Sequence, residues 1–211
     1  MRETAQLWLS DGSSVGEFED ALGKRLQAAD LRHHHIGRNL EGSVGGGDYT
    51  LDLLWADAPT ADLLTGLGGL LRDDRLAYAP LVTGCRQADM TNGIRRTLLL
   101  RVHPNAEHSS VARFEQEVAA MPDYMEGIRN WSLGRVISPS RWTHVWQQEY
   151  QQVEDLLGEY LMHPYHWGYI DRFFDLDSPD CIVDQHLAHC FSPLASSAHT
   201  LYANNCKGRQ E

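Results

Sequence analysis

The chain repeats itself at a spacing of about ninety-five residues, and a repeat dictates architecture before any single element does. Ser14-Val15-Gly16-Glu17-Phe18-Glu19 resembles Ser110-Val111-Ala112-Arg113-Phe114-Glu115, 96 positions later. Gly37-Arg38 recurs as Gly134-Arg135 at an offset of 97, while Tyr49-Thr50 matches Trp142-Thr143 and Asp62-Leu63-Leu64 matches Asp155-Leu156-Leu157 at 93. The polar stretch Gln87–Arg95, with its Asn-Gly turn signal, is the expected seam. This divides the chain into a mainly structural first unit over 1–90, a second unit over 95–194 and a polar tail over 195–211.

Each copy reads as strand, helix, strand, strand, helix, strand. In the first, Gln6–Leu9 is a short apolar strand, and Ser14 with Glu17 forms a capping box that opens a helix through Ala28. Leu31–Leu40 and Tyr49–Ala56 are expected strands around Gly45-Gly46-Gly47, Thr60–Arg72 a Leu-rich helix and Tyr78–Cys85 a closing strand. The second copy runs Thr97–His103, Ser110–Ala120, Gly127–Ile137, Trp142–Glu149, Val153–Met162 and Ile182–Phe191. The order β-α-β-β-α-β specifies a ferredoxin-like unit with both helices on one face of an antiparallel sheet. Two such units in one chain can press their bare faces together. The expected fold is therefore α+β, an intramolecular version of a dimeric α/β barrel.

Composition narrows the function classes. With 18 basic and 29 acidic residues among 211, the net charge of −11 would repel a phosphate backbone, which argues against nucleic-acid partners. No apolar run reaches the roughly 20 residues of a membrane-spanning helix. Cys85, Cys181, Cys190 and Cys206 are widely spaced and follow no secretory signal, so they read as reduced thiols of a cytoplasmic protein. Neither a phosphate-binding glycine motif nor H-E-x-x-H is present. His33-His34-His35 reads as surface strand, because neighbouring strand residues point to opposite faces and cannot converge on one ion. By the same parity, one of His186 and His189 can face a cavity. Arg135, Arg141 and Arg172 are candidate carboxylate binders with surface roles preferred.

Chemistry concentrates in the second copy. Pro164 ends a helix at His163 and can begin another, so Tyr160, His163 and His166 are presented from one kinked corner. A histidine is the natural general base near neutrality, and a phenol can hold a carbonyl or enolate oxygen. At an offset of 93, Tyr160, His163, His166 and His144 fall on Leu67, Leu70, Asp73 and Leu51, which suggests one equipped and one structural half.

Trp142-Thr143-His144-Val145 followed by Tyr160-x-x-His163-Pro164-x-His166 resembles the Dabb family, the stress-responsive dimeric α/β barrels, and within it the olivetolic acid cyclase-type polyketide cyclases. The resemblance covers roughly residues 97–191 and carries over Tyr160, His166 and His144 as catalytic. The family's first-strand histidine has no counterpart between Thr97 and Val102, and its helix tyrosine falls near Phe114. His163, Trp142, Trp146, Trp167 and Phe114 are the expected substrate contacts. The implied activity is cofactor-independent acid–base chemistry on a small aromatic or polyketide-like carbonyl compound: aldol-type cyclisation, isomerisation or lactone rearrangement. Two alternatives come with related barrels: haem binding through one of the histidines, and a non-catalytic stress or assembly role. The expected partner is a small-molecule substrate, and the chain is either a monomer with pseudo-dimeric halves or a homodimer.

Overall fold

A computed structural model describes residues 1–59 and 62–197. The elements in chain order are β1 (Arg2–Leu9), α1 (Val15–Ala28), β2 (Leu31–Arg38), β3 (Tyr49–Trp55), β4 (Leu70–Cys85), β5 (Thr91–Leu100), α2 (His108–Tyr124), β6 (Asn130–Val136), β7 (His144–Tyr150) and β8 (Ala188–Ser196). All strands form one antiparallel sheet in the order β2-β3-β1-β4-β6-β7-β5-β8. The first four and the last four repeat the same ferredoxin-like order, and β4 joins β6 across the seam.

The opposite edges nearly meet, which closes the sheet into a barrel. There the loop after β2 takes over from regular pairing: Val44 and His189 exchange backbone hydrogen bonds, and Leu40 donates to Phe191. The triple glycine permits this approach. Gly45 adopts φ +72° with Leu187 O only 1.9 Å from where a Cβ would lie, and Cys190 Sγ would stand 2.0 Å from a Cβ on Gly46.

Helix α1 forms as its capping box predicts, with Ser14 Oγ accepting from Glu17 N–H and Phe18, Leu22 and Leu26 buried at helical spacing. The second helix of the first copy does not form. Over the described part of Thr60–Arg72, the Asp62 side chain accepts from the backbone N–H groups of Leu64 and Thr65, which favours a turn. Gly66 and Gly69 then sit at φ +66° and +81°, which a right-handed helix cannot use. Leu63, Leu64 and Leu67 still enter the core, and Leu70 already starts the 16-residue strand β4.

Other boundaries shift as well. The seam is shorter than Gln87–Arg95, since β5 begins at Thr91 with Asn92 at φ 54° inside it. The polar tail starts later than 195, because β8 runs to Ser196 and the buried Ser197 donates to Glu149 Oε2. The rest of that tail, with Cys206, lies outside the described residues. In the second copy the expected helix Val153–Met162 winds mainly as a π-helix over Asp155–Tyr160, and a second π turn covers His166–Ile170. Such wide turns recur at functional sites.

Strand parity sorts the second half into two faces. Arg95, Thr97, Gln147 and Glu149 point into the barrel. Arg95 Nε lies 2.5 Å from Asp52 of the first half, and its Nη1 and Nη2 reach Glu149 at 2.7 Å and Gln147 at 2.8 Å. Leu98, Leu100 and Trp146 point the other way, toward α2 and the π-helical segment. The interior thus spans both halves and combines this polar network with an apolar cluster around Leu76, Leu99, Trp142 and Val145, whereas each outer face packs its own apolar core.

Candidate functional site

In the second half the outer-face core is not filled. A cavity of about 290 Å³ lies between the sheet and its helical cover. Its floor is Arg96, Leu98 and Leu100 of β5 with Trp146 of β7 and His189 of β8. Phe114, Val118 and Met121 of α2 form one wall, and Tyr160, His166, Ile170 and Asp171 the other. The lining is apolar apart from a few converging polar groups, the usual make-up of a small-ligand pocket.

Four of the sequence-derived residues meet here: His166, Tyr160, Trp146 and Phe114. His166 Nδ1 lies 3.1 Å from Asp171 Oδ1, within ion-pair reach though off the line of a hydrogen bond. Its ring stands edge-on to Tyr160, with centroids 4.8 Å apart. The Tyr160 hydroxyl donates to Met121 Sδ at 4.0 Å. Burial raises the Tyr160 pKa, an effect that the Arg96 charge opposes, so the phenol stays protonated at neutral pH. Trp146 Nε1 and Gln148 Nε2 lie toward that hydroxyl without completing a hydrogen bond.

The other four do not line the cavity. His144 is buried on the same face, but its Nε2 is 2.9 Å from Glu115 Oε1 and its Nδ1 2.8 Å from Thr143 Oγ1, so both ring nitrogens are engaged. Burial lowers its pKa, with Glu115 opposing. His163 caps the second helical turn, its Nδ1 accepting from Tyr165 N–H at 3.1 Å. Trp142 packs in a separate cluster inside the barrel and donates to Asp74 Oδ2 at 3.0 Å. Trp167 is exposed and donates to Met162 O. The three candidate arginines are spent on surface ion pairs: Arg135 with Glu115, Arg141 with Asp74 and Arg172 with Glu117.

Three lining residues carry chemistry that motif reading missed or left open. His189 resolves the choice offered by strand parity, since His186 is solvent-exposed beside Asp184, before β8 begins. Asp171 escaped because only the π turn brings it back to His166. Arg96 left a readable signal: a charge at the one polar position of the otherwise apolar face Ile94-Arg96-Leu98-Leu100. Its Nε donates to His189 Nε2 at 2.6 Å and its Nη1 to Gln148 Oε1 at 2.5 Å, while its guanidinium carbon stands 4.9 Å from the Tyr160 ring centre. Burial, then Arg96 and His166, lower the His189 pKa to about 3, which keeps this ring a neutral acceptor.

The profile of the Dabb family, the stress responsive A/B barrel domain, matches residues 94–183. The match falls within the second half and covers fewer than half of the 211 residues. No curated protein matches the chain. Among solved structures the fold is shared with an anthrone oxidase-like protein, at a TM-score of 0.62 and 9% identity over 92% of this chain and 91% of that one. A candidate monooxygenase from Lactobacillus acidophilus NCFM gives 0.55 and 13% over 92% of each chain. A chlorite dismutase variant from Candidatus Nitrospira defluvii gives 0.55 and 6% over 96% and 93%. At these identities the likeness establishes the tandem dimeric α/β barrel and nothing about chemistry.

Of the two histidines that line the cavity, His189 has its Nε2 already taken by Arg96 and does not offer that nitrogen to a haem iron. Among the described residues no three His, Cys, Asp or Glu side chains are grouped to hold a metal ion, and no helix is long and apolar enough to cross a membrane.

Proposed function

We propose that this protein is a cofactor-independent enzyme that removes a proton next to a carbonyl of a small aromatic or polyketide-like compound. The observation that carries the reading is His166 on the cavity wall, with Asp171 at its Nδ1 and the Tyr160 ring against it. Asp171 beside Nδ1 can orient the ring, and Nε2 is the nitrogen that would act as the base. The C–H proton passes to Nε2, and the electron pair moves onto the carbonyl oxygen, to which the Tyr160 hydroxyl donates. The enolate then attacks a second carbonyl, is reprotonated elsewhere or rearranges a lactone. Deprotonation is also the step that makes an anthrone-type compound oxidisable by dioxygen, so the name of one fold neighbour is compatible with the same opening chemistry.

The test is deuterium uptake from D2O and product formation across phenolic ketones, lactones and β-polyketide mimics, with oxygen consumption recorded in parallel. His166→Ala is expected to lose on the order of 10²–10⁴ in rate, the usual contribution of a general base. Tyr160→Phe loses less, and both variants keep the wild-type melting temperature to within a few degrees. Undiminished turnover in His166→Ala would refute the mechanism. Ligand binding without turnover by any member of the panel would favour a binding protein instead.

A further inference from the structure

Arg95 and Arg96 are neighbours on β5 with opposite fates. Arg95, facing the barrel interior, is neutralised by two carboxylates, Asp52 at 2.5 Å and Glu149 at 2.7 Å. Arg96, equally buried at 4% exposure, has no carboxylate within ion-pair distance among the described residues. Its two protein partners, His189 and Gln148, are neutral, and its Nη2 has no partner among the described residues. A buried charge is costly unless it is paired. An acidic chain of net charge −11 thus leaves this buried guanidinium, on the floor of an apolar cavity, without a counter-ion among the described residues.

The groups around it have the same bias. Arg96 Nη1 takes the Gln148 oxygen, and the buried Gln148 amide nitrogen, which lies toward the Tyr160 hydroxyl, completes no hydrogen bond. Trp146 Nε1, a donor only, is also without an acceptor. His189 offers its lone pair to Arg96 rather than to the cavity. Around the guanidinium the protein thus adds further donors, which face the Tyr160 oxygen, and no negative charge. The one carboxylate among the lining residues, Asp171, lies by His166 with its side chain half exposed.

We propose that the cavity takes a monoanionic ligand, an aromatic or short-chain carboxylic acid, whose carboxylate supplies the counter-ion missing from Arg96. This rests on the reading of the cavity as the substrate site, and it narrows the substrate from a carbonyl compound to an acid. The apolar portion lies among Leu98, Phe114, Val118 and Ile170. The Tyr160–His166 corner is left for the reacting end of a longer acid.

The probes are benzoate, 3-phenylpropionate and hexanoate against their primary amides, which match them in shape and lack the charge. Calorimetric titration of the wild-type protein is expected to show at least one acid binding ten- to a hundredfold tighter than its amide, the range for a hydrogen bond to a charged group. Arg96→Met brings that acid down to the level of the amide, while Arg96→Lys keeps part of the preference. The wild-type acid–amide comparison needs no variant, so it stands even if Arg96→Met fails to fold. An amide bound as well as its acid, no acid bound at millimolar concentration, or an undiminished preference in folded Arg96→Met would each overturn the proposal. His166→Ala should bind the acid within about twofold of wild type. Acid binding without any turnover would then sink the catalytic reading alone.

Discussion

The two halves solve one packing problem twice with different side chains. In the first, the Tyr49 ring lies 5.4 Å from Phe18 of α1 and its hydroxyl donates to Glu19 at 2.6 Å. In the second, the His144 ring lies 5.7 Å from Phe114 of α2 and its Nε2 is 2.9 Å from Glu115. Phe18-Glu19 and Phe114-Glu115 are the repeat's own matched pair, and the registers agree: Leu7 pairs with Tyr49 on β3 as Leu100 pairs with His144 on β7. A residue that recurs in role in both copies serves the framework. The same register sets Glu3, which accepts from the Trp55 indole, opposite Arg96 in the other half. There the copies differ in sign as well as in size. The first half packs Leu63, Leu64 and Leu67 into its outer-face core, whereas the second leaves the cavity and places a cation in it. Duplication supplied a scaffold, and divergence on one outer face supplied a site.

The largest expected effect separates the shared interior from the divergent face. Arg95→Met leaves Asp52 and Glu149 buried without their cation, and should cost about 3–5 kcal/mol of stability. Arg96→Met strands no carboxylate and should cost far less. Urea unfolding of the two variants measures the difference directly. Equal losses would mean that Arg96 has a structural role like that of Arg95, and would dissolve the contrast on which the acid-binding proposal depends.

A second expectation concerns pH and places one histidine in each half. Burial, then Arg95 and His33, with Asp52 and Glu149 opposing, depress the His35 pKa to about 4; that of His189 falls to about 3. Both rings bind a proton more readily in the unfolded chain, where the pKa is near 6.5. Their contribution is therefore complete above pH 6.5 and is lost as the pH falls toward 4 and then 3. For His35 the loss is about 3 kcal/mol, taking 1.36 kcal/mol per unit. His35→Gln should flatten the acid limb of the stability profile between pH 6 and 4, and an unchanged limb would show that His35 titrates normally. Because His35 hydrogen-bonds to Ser192 of the other half, at 3.1 Å, the same measurement reports on barrel closure.

Much of this was legible because repeats constrain strongly. The strand order, α1 with its cap, and the Tyr160–His166 corner all follow from spacing and local chemistry. The missing helix does not, because Leu63, Leu64 and Leu67 have helical spacing and only Asp62, Gly66 and Gly69 oppose it. His144 misleads for a different reason. The likeness of Tyr49-Thr50 to Trp142-Thr143 suggests an offset of 93, which sets His144 on Leu51, whereas the sheet register sets it on Tyr49, 95 residues earlier. A slip of two preserves the face and conceals the equivalence. Arg96 and His189 become significant only when β5, β7 and β8 lie side by side.

The smallest expected effect is the sharpest test of the comparison. If His144 is the framework counterpart of Tyr49, then His144→Tyr rebuilds the first half's arrangement in the second, with a ring against Phe114 and a hydroxyl in reach of Glu115. The stability change should stay under about 1.5 kcal/mol, the range of a tolerated core swap. Acid binding and turnover should remain within a few-fold of wild type. His144→Ala, which removes the ring from between Glu115 and Phe114, should cost more in stability while leaving the binding preference for acid over amide intact. A His144→Tyr protein that folds normally yet loses turnover by two orders of magnitude would return His144 to the catalytic set. The likeness between Glu19–Tyr49 and Glu115–His144 would then be one of geometry alone, with the second copy having turned a framework contact into a working one.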